Sequence, residues 1–325
     1  MSDHARIAGI ILAFMCVALP AEAQQAAKVY RIGFLGMATP ATGEPFFKVF
    51  FQRMRELGYA ETNLIFEPRF AYGDASKLAP LARELVALRP DVLIAAFNPA
   101  IVAAKTATSS IPIVMLYGGT PVEAGLVESL ARPGGNVTGL AYAAPETSGK
   151  AFQTLKEAFP WTRRILCLYE SPFPGMQLYV EQSNRAAGAL GLTLVLAPIG
   201  SAADIDSALA RTRQERIDGV FVGVTALLYK EIGRIIESAA RDRVPAIYTH
   251  SSAVDQGGLM SYAAVTDHWR DGAVYVDKIL RGAKPADLPI EQPSKYELTI
   301  NLKTARSIGV TIPRSVLLRA DRVIE

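Results

Sequence analysis

The stretch Ser129-Leu-Ala-Arg-Pro-Gly-Gly-Asn-Val-Thr-Gly139 lies near the middle of a regular strand–helix series and predicts a hinge. Arg132-Pro133-Gly134-Gly135 is typical of a helix end, because proline cannot continue a helix and glycine accepts the left-handed conformation beyond it. Asn136-Val137-Thr138 then predicts a short strand, and Gly139 a second pivot. A similar series follows. The sequence therefore predicts two α/β lobes that enclose a cleft, which is a common place for a ligand.

Apolar runs alternate with helical segments on both sides of this hinge. The first series predicts strands at 29–35, 63–72, 91–96 and 113–116, and helices at 44–57, 75–88, after Pro99, and at 121–131. The second predicts strands at 165–169, 193–197, 219–224 and 246–248, and helices at 176–190, 203–213 and 228–241. Beyond them we expect a strand at 257–262, a helix at 266–281 packed on the first lobe, and an extended segment at 289–301. Such alternation indicates parallel sheets covered on both faces.

Four blocks of sequence carry a family resemblance. They are 129–139, Arg89-Pro90-Asp91-Val92, Gly257-Gly258-Leu259-Met260-Ser261-Tyr262, and 282–293 with its continuation at 296–305. The chain resembles the solute-binding proteins of ABC importers, in the branch that includes tryptophan- and phenylalanine-type binders. The resemblance implies two Rossmann-like lobes joined by a multi-strand hinge, the type I periplasmic-binding fold. It also implies a small-molecule ligand, an amino acid or a related small organic acid, aromatic ones included, and an ABC permease as partner.

The first 23 residues are predicted to be a secretory signal. Arg6 starts it, the apolar run 7–19 is short for a membrane span, and Ala21-Glu22-Ala23 places small residues before a cleavage site. An uncleaved membrane anchor is the alternative. Cleavage would leave a periplasmic protein, with residues 24–138 plus 263–290 as the first lobe and 139–262 plus 291–325 as the second.

Composition narrows the class of protein. The chain has 325 residues, half of them apolar, which suits two buried cores rather than disorder. Its formal net charge of +3 comes without a long Lys/Arg run, so we expect no nucleic-acid partner. Only Cys167 remains after the signal, in an apolar strand, which indicates a core thiol rather than a nucleophile. We expect a monomer.

The sequence shows no assembled catalytic or cofactor motif. His250 and His268 share no ligand spacing with a cysteine or a carboxylate pair, so no metal is expected. Gly33-Phe-Leu-Gly36 lacks the third glycine of a dinucleotide fingerprint, and a Walker loop and a Gly-x-Ser-x-Gly elbow are absent. We therefore expect a binding protein without a cofactor, not an enzyme. The alternatives are a sensing module for a membrane receptor and a cleft enzyme built on His250, Glu170 and Ser251.

Candidate ligand contacts follow from the rule that ligands bind outside the carboxyl ends of parallel strands. Asn98-Pro99 is predicted as a helix N-cap and first-turn proline, whose free N–H groups would hold a ligand carboxylate, and Thr120-Pro121 repeats the pattern. Ordinary capping is the alternative. Glu170 is the candidate partner for an amino group, or else an exposed loop acid. The full predicted set is Thr39, Asn98, Tyr117, Gly118, Tyr169, Glu170, Thr225, Tyr248 and His250, in which the three tyrosines would supply aromatic walls.

Overall fold

A computed structural model of the protein describes residues 28–142, 144–170 and 176–325. Its strands are β1 Tyr30–Gly36, β2 Leu64–Phe70, β3 Val92–Ala96, β4 Ile113–Gly119, β5 Val137–Tyr142, β6 Arg164–Glu170, β7 Thr193–Ile199, β8 Gly219–Val222, β9 Ala246–Tyr248, β10 Met260–Ala264, β11 Tyr296–Asn301 and β12 Arg322–Ile324. Its helices are α1 Pro40–Glu56, α2 Leu78–Ala87, α3 Phe97–Ala107, α4 Ala144–Ala158, α5 Met176–Ala189, α6 Ala202–Gln214, α7 Ala226–Lys230, α8 Ile232–Arg241, α9 Ser252–Asp255, α10 His268–Leu280, α11 Leu302–Ile308 and α12 Arg314–Leu317. The predicted signal peptide lies outside the described residues.

Two sheets organise the described chain. The first has the order β2-β1-β3-β4-β5 and the second the order β12-β11-β10-β9-β8-β6-β7. Strands β7-β6-β8-β9-β10 repeat the order of the first sheet, and all of these neighbours pair in parallel. Strand β11 then joins the edge at β10 antiparallel. The prediction of two α/β lobes built on parallel sheets is confirmed.

Helix α10 returns to the first sheet, as predicted for residues 266–281. Gly272 lies so close to Leu116 of β4 that an added Cβ would stand 2.7 Å from its side chain. Trp269 packs among the rings of Phe34, Phe46 and Phe47. The chain therefore enters the second sheet after β5 and comes back to the first through α10.

The predicted helix at 121–131 is wrong, because this segment forms turns. Gly125 in its middle has φ +66°, which interrupts a helix. Lys105 Nζ donates to the carbonyls of Gly125 and Leu126 at 2.8 and 2.7 Å, while the side chains of Leu126 and Val127 are buried in the core. Tertiary contacts have replaced helical hydrogen bonds here. The predicted helix 228–241 also divides into α7 and α8.

The predicted pivot Gly139 lies inside β5. It has φ +125°, and an added Cβ would stand 2.4 Å from the carbonyl oxygen of Met115 in β4. The β4–β5 register shifts between Met115 and Gly118, directly beside this contact. A glycine is required because two strands approach each other more closely than a side chain permits. None of the helices in the described ranges is long and apolar enough to span a membrane.

We expect Gly139→Ala to lower the free energy of unfolding by about 1–3 kcal/mol, because the new methyl group must push β4 and β5 apart. The matched control is Gly135→Ala, four residues earlier, where an added Cβ meets no atom within 4 Å. The control should stay within about 0.5 kcal/mol of the wild type. Urea denaturation compares the three proteins, and equal losses in both variants would contradict this reading of the β4–β5 contact.

Candidate functional site

Two neighbouring cavities lie between the carboxyl edges of the two sheets. The hydroxyl cavity, about 660 Å³ including open solvent, has a mainly apolar lining that also carries polar side chains from both lobes, among them Asn98, Tyr142, Ser148, Tyr169, Tyr179 and Thr225. The aromatic cavity, about 730 Å³, is lined mainly by rings, among them Phe34, Phe46, Phe70, Tyr229, His250 and Trp269. Both cavities share Phe97, Tyr117 and Val224.

The residues shared by both cavities include Phe97 and Tyr117, whose rings form a stack of three with His268. The Phe97 and Tyr117 ring centroids are 5.0 Å apart at 11°, and His268 stacks on Tyr117 at 4.1 Å and 20°. Phe97 and Tyr117 both have positive φ, +66° and +56°. That conformation costs a non-glycine residue about 1–3 kcal/mol and is concentrated at functional sites. Two of the seven non-glycine residues with positive φ in the described chain thus lie side by side between the two cavities.

Asn98 lies inside α3 and is not its N-cap, so that prediction is wrong. The helix begins at Phe97 with Ala96 as the capping residue. The Asn98 amide instead bonds Gly119 of β4 twice: the Gly119 N–H donates to Oδ1 and Nδ2 donates to the Gly119 carbonyl, both at 2.9 Å. Asn98 thus fixes the end of β4 while it lines the hydroxyl cavity. The repeat predicted at Thr120-Pro121 is also wrong, because no helix begins there.

Asn98→Ala should lower the free energy of unfolding by about 1–3 kcal/mol, since it leaves both polar groups of Gly119 without this partner. Thr106→Ala on the exposed face of α3 is the control and should stay within about 0.5 kcal/mol of the wild type. Chemical denaturation measures both. If Asn98→Ala were as stable as Thr106→Ala, the two hydrogen bonds between Asn98 and Gly119 would make no contribution to stability.

Three other predicted contacts do not line either cavity. Thr39 is the N-cap of α1, and its side chain accepts from the Thr42 N–H. Gly118 is buried where an added Cβ would stand 2.7 Å from the Met115 sulfur. Tyr248 is 1% exposed within the core of the second sheet. The strand-end rule selected these residues correctly by position, but their side chains or Cα atoms face the interior or the helix start.

The remaining predicted contacts are divided between the two cavities. Tyr169 and Thr225 line the hydroxyl cavity, and Thr225 also caps α7 by accepting from the Leu228 N–H. His250 lines the aromatic cavity. Its Nδ1 lies 3.1 Å from the hydroxyl of Ser252, rather than the Ser251 named in the enzyme alternative. The main chain of Glu170 ends β6, but its side chain lies outside the described residues.

Sequence reasoning missed several lining residues because they come from helices or from the hinge. Ser148 of α4 and Tyr179 of α5 lie on neighbouring helices, with their hydroxyl oxygens 3.0 Å apart. Phe46 of α1 and Trp269 of α10 stack at 5.9 Å and 18°. Helical periodicity predicts that such residues are buried, but not that the surface they bury against is a cleft.

None of the described side chains that line either the hydroxyl cavity or the aromatic cavity carries a formal charge at neutral pH. Burial lowers the pKa of His250 from 6.5 to about 4, so its imidazole is neutral. Burial also raises the pKa of Tyr117 and Tyr142, so both phenols keep their protons. The cleft thus offers rings, hydroxyls and backbone dipoles to a ligand. The described residues contain no cluster of His, Cys, Asp or Glu able to hold a metal ion.

The stability of the protein should fall as the pH decreases below about 6.5, because His250 and His268 are buried neutral. Each has its pKa lowered to about 4, so between these values the unfolded chain binds a proton that the native protein excludes. The expected loss is at most about 1.4 kcal/mol per histidine and pH unit. Urea denaturation from neutral pH to about pH 4.5 should give a flatter dependence for the double variant His250→Gln/His268→Gln. Carboxyl groups titrate in both proteins, so parallel curves would rule out the histidines as the cause.

Comparison with known proteins gives a consistent result. Residues 47–324 match the family described as ABC transporter substrate binding protein. A domain from Streptococcus pneumoniae in complex with L-Trp is 28% identical, with a TM-score of 0.83, and the match covers 91% of this chain and 100% of that one. A conserved domain protein from Vibrio cholerae O1 biovar El Tor gives the same identity, TM-score and coverage. The tyrosine-binding protein of Clostridioides difficile strain R20291 is 24% identical over 267 residues, which is 81% of this chain and 76% of that protein.

Proposed function

We propose, since the chain belongs to the family of ABC transporter substrate-binding proteins, that its cleft captures an aromatic amino acid for an importer. Its fold is that of the type I periplasmic binding proteins, and members of the family bind solutes rather than convert them. One observation carries the proposal: an aromatic cavity and a hydroxyl cavity share the wall of Phe97 and Tyr117. A molecule with a ring at one end and a polar group at the other fits this pair of spaces.

The ring of the ligand would occupy the aromatic cavity. Phe34, Phe46 and Trp269 supply an apolar wall there, and aromatic pairs are worth about 0.5–1.5 kcal/mol each beyond their buried area. Two similar proteins support this class of ligand, since one is in complex with L-Trp and another is named a tyrosine-binding protein.

The α-carboxylate and α-amino groups would occupy the hydroxyl cavity. Phe97, Asn98 and Pro99 place the N-terminus of α3 at its wall, and the N-terminal end of a helix dipole favours a carboxylate. Tyr169 and Thr225 face the same space from the second lobe. We propose Glu170, which ends β6 beside Tyr169, as the partner of the amino group.

Closure of the lobes would complete the site. The ring of Phe46 from α1 lies 6.0 Å from that of Tyr229 in α7, so residues of both proposed lobes already face each other across the aromatic cavity. We retain residues 24–138 plus 263–290 and 139–262 plus 291–325 as the proposed lobes. We further propose cleavage after Ala23, a monomer in the periplasm, and a lobe surface that docks the permease.

A panel of ligands tests the function. At equal concentration, L-tryptophan, L-tyrosine and L-phenylalanine should raise the melting temperature of the protein, while L-alanine should not, because only the first three fill the aromatic cavity. Phe46→Ala should weaken binding of the best ligand about tenfold, which corresponds to ~1.4 kcal/mol. Calorimetric titration measures that affinity.

The control for Phe46→Ala is Phe51→Ala on the same helix. Phe51 packs on Phe50 and Phe66 rather than on the cleft, so its variant should keep the wild-type affinity at a temperature where it remains folded. Binding of alanine as strong as that of the aromatic amino acids, or equal effects of both variants, would remove the aromatic cavity from the function.

A further inference from the structure

We propose that His250 forms a hydrogen bond with a polar group on the ligand ring. The protein would then prefer an aromatic amino acid whose ring carries an O–H group over one with a plain phenyl ring. The inference rests on the proposed function and names the ligand class more narrowly. It assigns a specificity-determining contact to one atom, His250 Nε2.

His250 Nε2 is buried and has no hydrogen-bond partner among the described residues. Of the described residues that line the aromatic cavity, only His250 has a side-chain polar atom that is both buried and unpaired. The hydroxyl of Thr42, which also lines this cavity, already lies 3.0 Å from that of Thr39. A buried polar atom without a partner is destabilising, so its presence in a ligand cavity points to a partner that the ligand brings.

The position of the imidazole suits this role. His250 follows β9, and its Nδ1 lies 3.1 Å from Ser252 Oγ, which orients the ring. The ring of Tyr229 stands 5.1 Å away at 47° and limits its movement. The other polar groups of this lining are the hydroxyls of Thr42, Tyr117 and Tyr229 and the indole N–H of Trp269. His250 Nε2 differs from them because it is both buried and unpaired, so it gains most from a polar group on the ligand ring.

The chemistry favours a phenol. Because Ser252 Oγ can donate to Nδ1 or accept from it, Nε2 can either carry the proton or accept one. A phenol hydroxyl both donates and accepts, so it matches His250 in either tautomer. An indole N–H only donates and matches one tautomer, and a phenyl ring matches neither. The protein would bind a phenyl ligand more weakly than a phenol, because the phenyl ring leaves the buried Nε2 atom without a hydrogen-bond partner.

The test compares the affinities of L-tyrosine and L-phenylalanine for three proteins by calorimetric titration. The wild type should prefer tyrosine by roughly threefold to tenfold, the range of one neutral hydrogen bond. His250→Phe should lose this preference, whereas His250→Gln, which keeps a polar group at similar reach, should retain part of it. If His250→Phe does not fold, the ratio of tyrosine to phenylalanine affinity is compared between His250→Gln and His250→Leu instead.

The outcomes separate this inference from the proposed function. Equal affinities for tyrosine and phenylalanine in the wild type, or an unchanged ratio in His250→Phe, would overturn the role of His250 while the aromatic cavity stands. Failure of the wild type to bind either amino acid would overturn both. A thermal melt of the free proteins distinguishes a structural role: His250→Phe loses the contact of Nδ1 with Ser252 Oγ but also removes the unpaired Nε2, so it should melt close to the wild type.

Discussion

The stack of Phe97, Tyr117 and His268 is the contact on which the cleft depends. Two of its rings belong to residues in the left-handed conformation, which costs each about 1–3 kcal/mol. Ring stacking returns about 0.5–1.5 kcal/mol per pair, and the Asn98 amide holds the strand end beside them through two hydrogen bonds. The wall is therefore in place before a ligand arrives, which reduces the ordering that binding would otherwise require.

The stack is completed by a helix from a distant part of the chain. Helix α10 brings His268 to Tyr117 and Trp269 to Phe46. Gly272 packs it against Leu116 of the first sheet, and the ion pair of Arg270 with Glu56, 2.7 Å long, joins it to α1. The return of the chain to the first sheet is thus a condition for the cleft as well as for the fold. Loss of α10 packing would disturb both cavities at once.

The fold was largely predictable because parallel strands that are buried on both faces have continuous apolar sequences, which here alternate with helical segments. The helix predicted at 121–131 failed where a positive φ at Gly125 and burial of Leu126 outweighed local propensity. The strand-end rule selected Tyr117, Tyr169 and His250, which line the cavities, since position along a strand decides which edge a residue reaches. It could not find Phe46 or Trp269, which come from helices.

Asn98 shows why the chemistry of the site was harder to predict than its location. An asparagine before a proline is typical of a helix N-cap. In the structure its amide instead bonds the N–H and the carbonyl of Gly119, an arrangement that depends on a strand 21 residues away in the sequence. The helix begins at Phe97, two residues earlier than predicted, and the left-handed conformation of Phe97 has no sequence signal, because glycine is the residue expected there.

The absence of charge on the described cavity walls determines how such a cleft can select a ligand. Hydrogen bonds and dipoles are weak in water but strengthen where water is excluded, so a neutral cleft gains selectivity only when its lobes close on the ligand. Phe46 and Tyr229 already approach each other from the two lobes. A ligand ring of the right size would fill the space beside this pair, whereas a smaller side chain would leave a void and the lining rings without partner atoms. In the proposed function, the shape of the ligand would therefore decide closure, and closure would make the polar contacts of the hydroxyl cavity effective.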